Sequence, residues 1–532
     1  MRVVSKHFSV IIPVVSLSAL AACNSMSPPP RTFSIGVTVV NLAGTDGGLI
    51  LQNNLHDNLP VSANGSFTFA TAVASGSPYS VTISAQPSNP TQICGLTGGS
   101  GIATANVTNI EINCGHNEWT WMKGLNTVST SGVYGTLGVA AANNNPGGRQ
   151  TPVTWTDASG NFWLFGGNGF DSAGAFLPLN DLWEYSAGKW TWMGGSNLGS
   201  QIGTYGSLGV SAMSNIPGAR YQAVSWTDTS GDFWLFGGYG FDSKGNESTL
   251  NDLWKYSSGE WTWMGGSDLA EQQGTYGTLG VPAASDIPSS RSGAISWIDA
   301  SGNLWLFGGI DINSNGSIGE LNDLWKYSNS EWTWVSGSNL PNQSGVYGTQ
   351  GLPAPGNVPG ARNWAVGWID SSGSLWLFGG ASSAGTGLLN DLWKYSNGQW
   401  AWMSGSSQVN QPGTYGNGSM PGARGNPVSW VASSGNFWLF GGEGFDSTGN
   451  EDFLNDLWKY SNGQWVWVSG AKLGNQNGVY GAGGTPAPGN IPGARLRSAA
   501  WTDANGNLWL FGGYGFAGGT RGDLSDLWMY MP

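Results

Sequence analysis

The chain has 532 residues, several times a common single domain, so it holds two or three domains or one large repetitive one. Its 87 Gly and 31 Trp stand against only 10% charged residues, which excludes charge-driven disorder. A formal charge of −13 with 19 Lys and Arg argues against a nucleic-acid partner held through its phosphates. Glycine, aromatic and β-branched residues dominate at the expense of strong helix formers, so an all-β fold is expected.

Arg2 and Lys6 begin a short basic stretch, and Phe8 to Leu20 an apolar one interrupted by Pro13. Leu20-Ala21-Ala22-Cys23 then supplies small residues at a cleavage point. The apolar run is too short to span a bilayer as a helix. The stretch resembles the lipobox of bacterial lipoproteins. That resemblance implies a signal peptide over 1–22, acylation of Cys23, and a membrane-anchored place in the bacterial cell envelope. Asn24 stands where Asp marks inner-membrane retention in such proteins, which favours the outer membrane. An ordinary cleaved signal peptide with an incidental Cys is the alternative. Residues 23–32, with Pro28-Pro29-Pro30, read as an extended tether. Cys94 and Cys114, the two remaining cysteines of an exported chain, are expected to form a disulfide.

Residues 33–115 contain no Trp and alternate with period two over Phe33–Val40, Gly65–Phe69, Tyr79–Ile83 and Val107–Ile112. This spacing predicts a small immunoglobulin-like β-sandwich serving as a stalk, with ligand binding as the alternative.

Beyond it the sequence repeats. Leu-Phe-Gly-Gly occurs six times, with its Phe at 165, 236, 307, 378, 440 and 511. Asn-Asp-Leu-Trp, Trp-x-Trp and Pro-x-x-Arg segments recur in step. In one repeat the predicted strands are a (222–227), b (233–236), c (252–256) and d (261–264). Tight turns are expected between a and b and between c and d. Four antiparallel strands repeated six times describe a β-propeller. The Gly-Gly after strand b, Tyr256 in strand c and the Trp of strand d are similar to kelch repeats. The likeness covers 117–532, although most units here are 71 residues long. Trp119-Thr120-Trp121 is a strand d without a, b or c before it, and Asp526 to Tyr530 a strand c without d after it. The two halves are expected to close the sixth blade, since an open array leaves unpaired edges.

Long connections are predicted between b and c (239–250) and between d and a (265–290), and binding residues favour long loops on a rigid scaffold. On that face stand Arg149, Arg220, Arg291, Arg362, Arg424 and Arg495, matched in number by Asp181, Asp252, Asp323, Asp391, Asp456 and Asp526. The matched count predicts Arg–Asp bridges tying blades or loops together, against an anion-capturing arginine ring. Tyr134, Tyr205, Tyr276, Tyr347, Tyr415 and Tyr480 recur in the d–a loops, as anchors or as carbohydrate-stacking faces. Specificity should lie where repeats disagree. Tyr239, Glu443 and Tyr514 follow the Gly-Gly, and Trp364 and Arg497 lie two residues past the Arg; these five are the candidate pocket for a glycan or a protein partner. Asp311, Asn313, Asn315 and Glu320 begin like a calcium loop, but Asn322 occupies the place of its final acid, so a solvated turn is the alternative.

Kelch propellers include copper-radical oxidases resembling galactose oxidase, whose metal needs His, Tyr and Cys. Residues 117–532 contain neither His nor Cys, which excludes that chemistry, a His-based triad and a zinc site of that kind. The expected function is therefore a non-enzymatic binding module without a cofactor. The alternatives are a sugar-active enzyme resembling sialic-acid mutarotase, using Glu443 beside Arg497, and a purely structural envelope protein.

Overall fold

The computed structural model describes residues 31–42, 48–88, 92, 94–114, 117–312, 318–382, 386–432, 435–487 and 489–532. The expected signal peptide, Cys23 and most of the tether lie outside the described residues, as do Asn313 and Asn315. Among the described residues the regular elements are all strands.

Residues 32–114 form two four-stranded sheets and a short pair of Thr32–Phe33 with Val73–Ala74. One has the order Gly65–Thr68, Ile35–Val40, Val107–Cys114, Cys94–Thr97; the other Asp57–Val61, Leu49–Asn53, Pro78–Ala85, Ser100–Ile102. Period-two alternation turns Ile35, Val37 and Val39 inward, where they share one core with Leu49, Leu51 and Val81. Cys94 and Cys114 are bonded across neighbouring strands of the first sheet.

From Trp119 onward the described strands build six antiparallel sheets of four or five strands on the same plan, with a further two-stranded ribbon of Ile310–Ile312 and Ile318–Glu320. In the second, strand a is Val224–Thr227, b Phe233–Phe241, c Glu247–Ser257 and d Glu260–Gly265. Positive φ at Ser258 and Gly259 closes the c–d hairpin with the twist that two flanking strands need. Asp228 closes the a–b turn: its Oδ1 accepts the amides of Ser230 and Asp232, and its Oδ2 accepts the indole N–H of Trp234. The inner strands a neighbour one another in sequence order, and Ala499–Thr502 of the last sheet returns to Val153–Thr156 of the first. This is a β-propeller. Indoles stitch the sheets together: Trp155 Nε1 donates to the Trp234 carbonyl (3.1 Å), and Trp501 Nε1 to that of Trp163 (3.1 Å), the last sheet onto the first.

Strand b does not stop at its glycine pair, and here the sequence expectation is corrected. Phe233–Phe241 pairs with Glu247–Ser257 to the end, across a register shift between Phe236 and Gly238. Gly237 and Gly238 adopt φ of 63° and 95°, so the chain bulges and continues as a ribbon. The expected loop 239–250 is a hairpin whose tip is tied by Asp242, with Oδ1 accepting the amides of Lys244 and Asn246. Its polar residues read as loop because one face of the ribbon is solvated. The d–a connection is long, but much of it runs down the outside of the following sheet. Ala212 bridges Trp261, and the Gly209 amide donates to the Trp263 carbonyl (2.8 Å). The loop thereby covers an outer strand that would otherwise offer a free edge.

Trp119–Lys123 pairs antiparallel with Thr520–Tyr530, with Trp121 opposite Trp528. Trp119 packs on Phe440 and Tyr530 at 5.3 and 5.1 Å between centroids, and its carbonyl accepts from Asn490 Nδ2. Deleting Trp119–Met122 should therefore bare the edge of the last strand, lower the melting temperature and promote association; an unchanged melt would contradict this closure.

Two repeats break a pattern, the fifth with Ser419, whose Oγ donates to the Trp465 carbonyl at 2.7 Å, and the third with a carboxylate. Asn144, Asn215, Asn357 and Asn490 each donate through Nδ2 to two carbonyls, that of Asn215 to Val210 and Trp261 at 2.9 and 3.1 Å. The third repeat places Asp286 there, 2% exposed, a carboxylate that faces the Gly277 amide and has no N–H to offer those carbonyls. Burial, with the charge of Glu331, pushes its pKa up against the amide of Gly277. A carboxyl raised by folding destabilises the protein progressively as pH climbs above its unfolded value of about 4. Asp286→Asn should accordingly raise the melting temperature, with the gain over wild type small at pH 4 and widening toward pH 8 in parallel thermal melts.

Candidate functional site

The six arginines and six aspartates form buried pairs within single sheets. Arg220 Nη1 and Nη2 donate to Asp252 Oδ1 and Oδ2 at 2.6 and 2.7 Å, and both side chains are essentially inaccessible. The other five are Arg149–Asp181, Arg291–Asp323, Arg362–Asp391, Arg424–Asp456 and Arg495–Asp526, at 2.7 to 2.8 Å. Oδ2 of Asp252 also accepts the Tyr205 hydroxyl and the Trp254 indole N–H, both at 2.7 Å. Two more N–H groups of Arg220, on Nε and Nη1, go to the carbonyls of Gly218 and Gly237. Burial opposes the charge on Arg220, but Asp252 outweighs it and its pKa rises; burial and the same carboxylate push Tyr205 up. With every polar atom answered, the pair tolerates a dry site.

Two alternatives are set aside by this geometry. The arginines cannot form an anion-capturing ring, because none reaches solvent, and their carboxylate partners lie in their own sheet rather than bridging between blades. The recurring tyrosines are not free for carbohydrate stacking: each hydroxyl is bound to its aspartate. Each ring also sits between two tryptophans, as Tyr205 does with Trp254 (4.8 Å) and Trp263 (5.3 Å). Asp252→Asn should strand the charge of Arg220 and lower the stability of the propeller by about 3–5 kcal/mol, measurable as a fall in the denaturation midpoint followed by Trp fluorescence.

Two residues past each arginine the chain turns into the central strand. The residues there are Thr151, Gln222, Gly293, Trp364, Asn426 and Arg497, and all six are left-handed, with φ between 50° and 64°. Each amide donates to the carbonyl of the preceding member, and Thr151 donates to Arg497, so six hydrogen bonds of 2.8 to 3.2 Å close a ring about the axis. Five of the six carry a side chain in a conformation that glycine tolerates best, and such strain is held where the surroundings impose it. The ring floors a cavity of about 170 Å³.

On that floor Arg497 is the hub. Its guanidinium lies 5.3 Å from the Trp364 ring centroid, and its Nη1 donates to Gln150 Oε1 at 2.9 Å. Burial pulls its pKa below the usual guanidinium range, against the opposing influence of Glu443, Tyr221 and Asp523. Asp523, 6% exposed, accepts from Gln150 Nε2 (3.1 Å), and burial pushes it up to about 6 despite that bond and Arg497. Glu443 is raised by burial and by Glu451, with Arg497 and Arg521 pulling the other way. Gly293 gives Trp364 its room, since a Cβ there would come within 2.9 Å of the indole.

The structure thus brings Trp364 and Arg497 into contact and Glu443 within electrostatic reach. Tyr239 joins through Tyr221, 5.4 Å away. Tyr514 packs instead on Phe453 and beneath Arg521. Gln150, Tyr221 and Asp523 were not among the residues expected from sequence. Gln150 and Tyr221 belong to a column that varies between repeats, one position before the ring, and Asp523 to another, three before the aspartate. Of the calcium candidates, Asp311 lies in strand Ile310–Ile312 and Glu320 in Ile318–Glu320, where the Glu320 amide donates to Asn342 Oδ1. Among the described residues no cluster of three or more His, Cys, Asp or Glu could hold a metal.

No protein-family model matches the chain, and no curated protein matches it. Among solved structures it is similar to YjhT, with 15% identity and a TM-score of 0.42, over 74% of this chain and 95% of that one. It is also similar to a fungal alcohol oxidase of the AA5 family in complex with copper, with 13% identity and a TM-score of 0.40, over 75% and 77%.

Proposed function

We propose that the chain is an exported, lipid-anchored propeller of six kelch-type blades, carried on an immunoglobulin-like stalk, that binds a glycan or protein partner at the Arg497 floor without transforming it. The observation that carries this reading is the contrast between two sets of arginines. Six are buried and fully answered, while Arg497 stands half-buried over a strained ring, stacked on Trp364, at a position no other repeat fills with Arg. The variable residues around it are those a specific site would use, and the invariant ones are the frame.

A second reading, a sugar-active enzyme, is favoured by one observation: Asp523, with a pKa of about 6 beside Arg497, suits proton transfer near neutrality. Glycan and protein arrays probed with residues 24–532 separate the two. Binding to one class of probe, lost on Trp364→Ala without loss of fold, is the expected result. A blank array alongside turnover of a free sugar, abolished by Asp523→Asn, would replace the binding reading with the enzymatic one.

A further inference from the structure

We infer that the Arg497 floor receives the sulfate ester of a sulfated saccharide; this rests on the binding reading above and adds the group by which the ligand is held. The six buried arginines are each ion-paired to an aspartate. Arg497 has no such partner among the described residues. Its Nη1 goes to Gln150 Oε1, its Nε is buried with nothing to bond, and among the described residues its Nη2 donates to nothing. Nε and Nη2 together are the edge of a guanidinium that takes two oxygens of one anion side by side. The acids that act on Arg497 stand outside the cavity. Asp523 is reached only through Gln150, which accepts from Arg497 and donates to Asp523, and neither Asp523 nor Glu443 is in the lining. A half-buried guanidinium with no anion in contact is costly, and a bound anion lowers that cost.

The other unanswered buried atoms of the lining are donors as well. Trp364 Nε1 and Asn426 Nδ2 have no partner, and Asn426 is 8% exposed. They sit on the two ring members next to Arg497, since the Arg497 amide donates to the Asn426 carbonyl and the Asn426 amide to that of Trp364. All three residues line the cavity, where Arg497 is the one charged side chain. Donors around a single positive charge suit an anion that only accepts. Shape and charge then choose among oxyanions. The guanidinium lies over the Trp364 ring, 5.3 Å from its centroid, so the indole N–H and the Nε–Nη2 edge approach the cavity from different directions. A carboxylate seated on that edge turns both its oxygens to the guanidinium. A sulfate ester seats two and offers a third elsewhere. A phosphate ester has the same shape but carries a proton or a second charge near neutral pH. The proton would meet no unanswered buried acceptor in the lining, and the second charge would face Asp523 across Gln150. The cavity of about 170 Å³ admits the sulfate, and half-buried Trp364 with the Tyr221–Tyr239 pair supplies apolar faces for the sugar that carries it.

The test is an array of saccharides in matched neutral, monosulfated and uronic-acid series, probed with the purified protein and followed by calorimetry on the hits. Sulfated members should bind about tenfold or more tightly than their neutral parents, the worth of one hydrogen bond to a charged group. Inorganic sulfate should displace them where chloride at equal ionic strength does not. Trp364→Phe, which keeps an aromatic ring and removes the N–H, should weaken the sulfated ligand more than its neutral parent, and Arg497→Gln should erase the preference. The sulfate competition on the wild-type protein keeps the test open should a variant fail to fold. Equal binding of neutral and sulfated members, or tighter binding of the uronates, overturns the sulfate assignment and leaves the binding reading standing. An array blank in every series overturns the assignment together with the glycan arm of that reading.

Discussion

Each repeat is joined to its neighbours at one arginine, and the rest of the propeller depends on that joint. The guanidinium reaches the aspartate of its own sheet, fixing the start of strand a against strand c. Its backbone carbonyl lies against the first glycine of the preceding pair: Arg220 on Gly166, Arg291 on Gly237, Arg362 on Gly308, Arg424 on Gly379, Arg495 on Gly441, and Arg149 on Gly512. A Cβ on Gly237 would come within 2.9 Å of that oxygen. One residue thus fixes both the internal geometry of a sheet and its distance from the next. The ion pair tolerates burial because tyrosine, tryptophan and two carbonyls satisfy its remaining polar atoms. A lysine in the same place could not make the forked contact.

This joint also explains the ring two residues later. Once every arginine is fixed at the same height, the residues that follow must cross the axis side by side. Closing six N–H to carbonyl bonds in a circle demands that all six turn the same way, into left-handed conformation, whatever their side chains. Backbone geometry is therefore uniform around the floor, and the side chains on it are free to differ. That division lets a symmetric frame carry an asymmetric site. Gly293 leaves a space, Trp364 fills it, and Arg497 lies on the indole from the far side of the ring.

How much of this was legible in the sequence follows from the same division. Features repeated six times announce themselves: the period, the strand order, the unmatched Trp-x-Trp at the start, and the equal numbers of Arg and Asp. Trp364 and Arg497 stood out because their columns are polymorphic. The ribbon beyond the glycine pair did not show, because its alternation is carried by Ser, Thr and Gly and mimics a loop. Asp523 and Gln150 were invisible for a different reason. Each is unremarkable in its own column, and only strand register, which places Tyr514 opposite Asp523, brings them beside Arg497. The pairing of each arginine within a sheet rather than between sheets likewise needed geometry, since the count of charges is the same either way.

The hydrogen-bonded ring bears finally on what kind of function the axis can serve. Below it the inner strands present hydroxyls that bond to the neighbouring strand, Ser225 Oγ to the Thr154 carbonyl and Ser296 Oγ to that of Ser225. These bonds tie each inner strand to its neighbour around a cavity of about 450 Å³. Above it stand the unpaired donors, the raised carboxyls and Arg497. A passage through the molecule would need polar groups on both sides of an openable constriction. Here the constriction is six backbone hydrogen bonds that can open only together, each amide otherwise losing its partner in a buried place. The ring therefore divides the axis into two sides, and the side chains that differ between repeats gather on the one that carries Arg497.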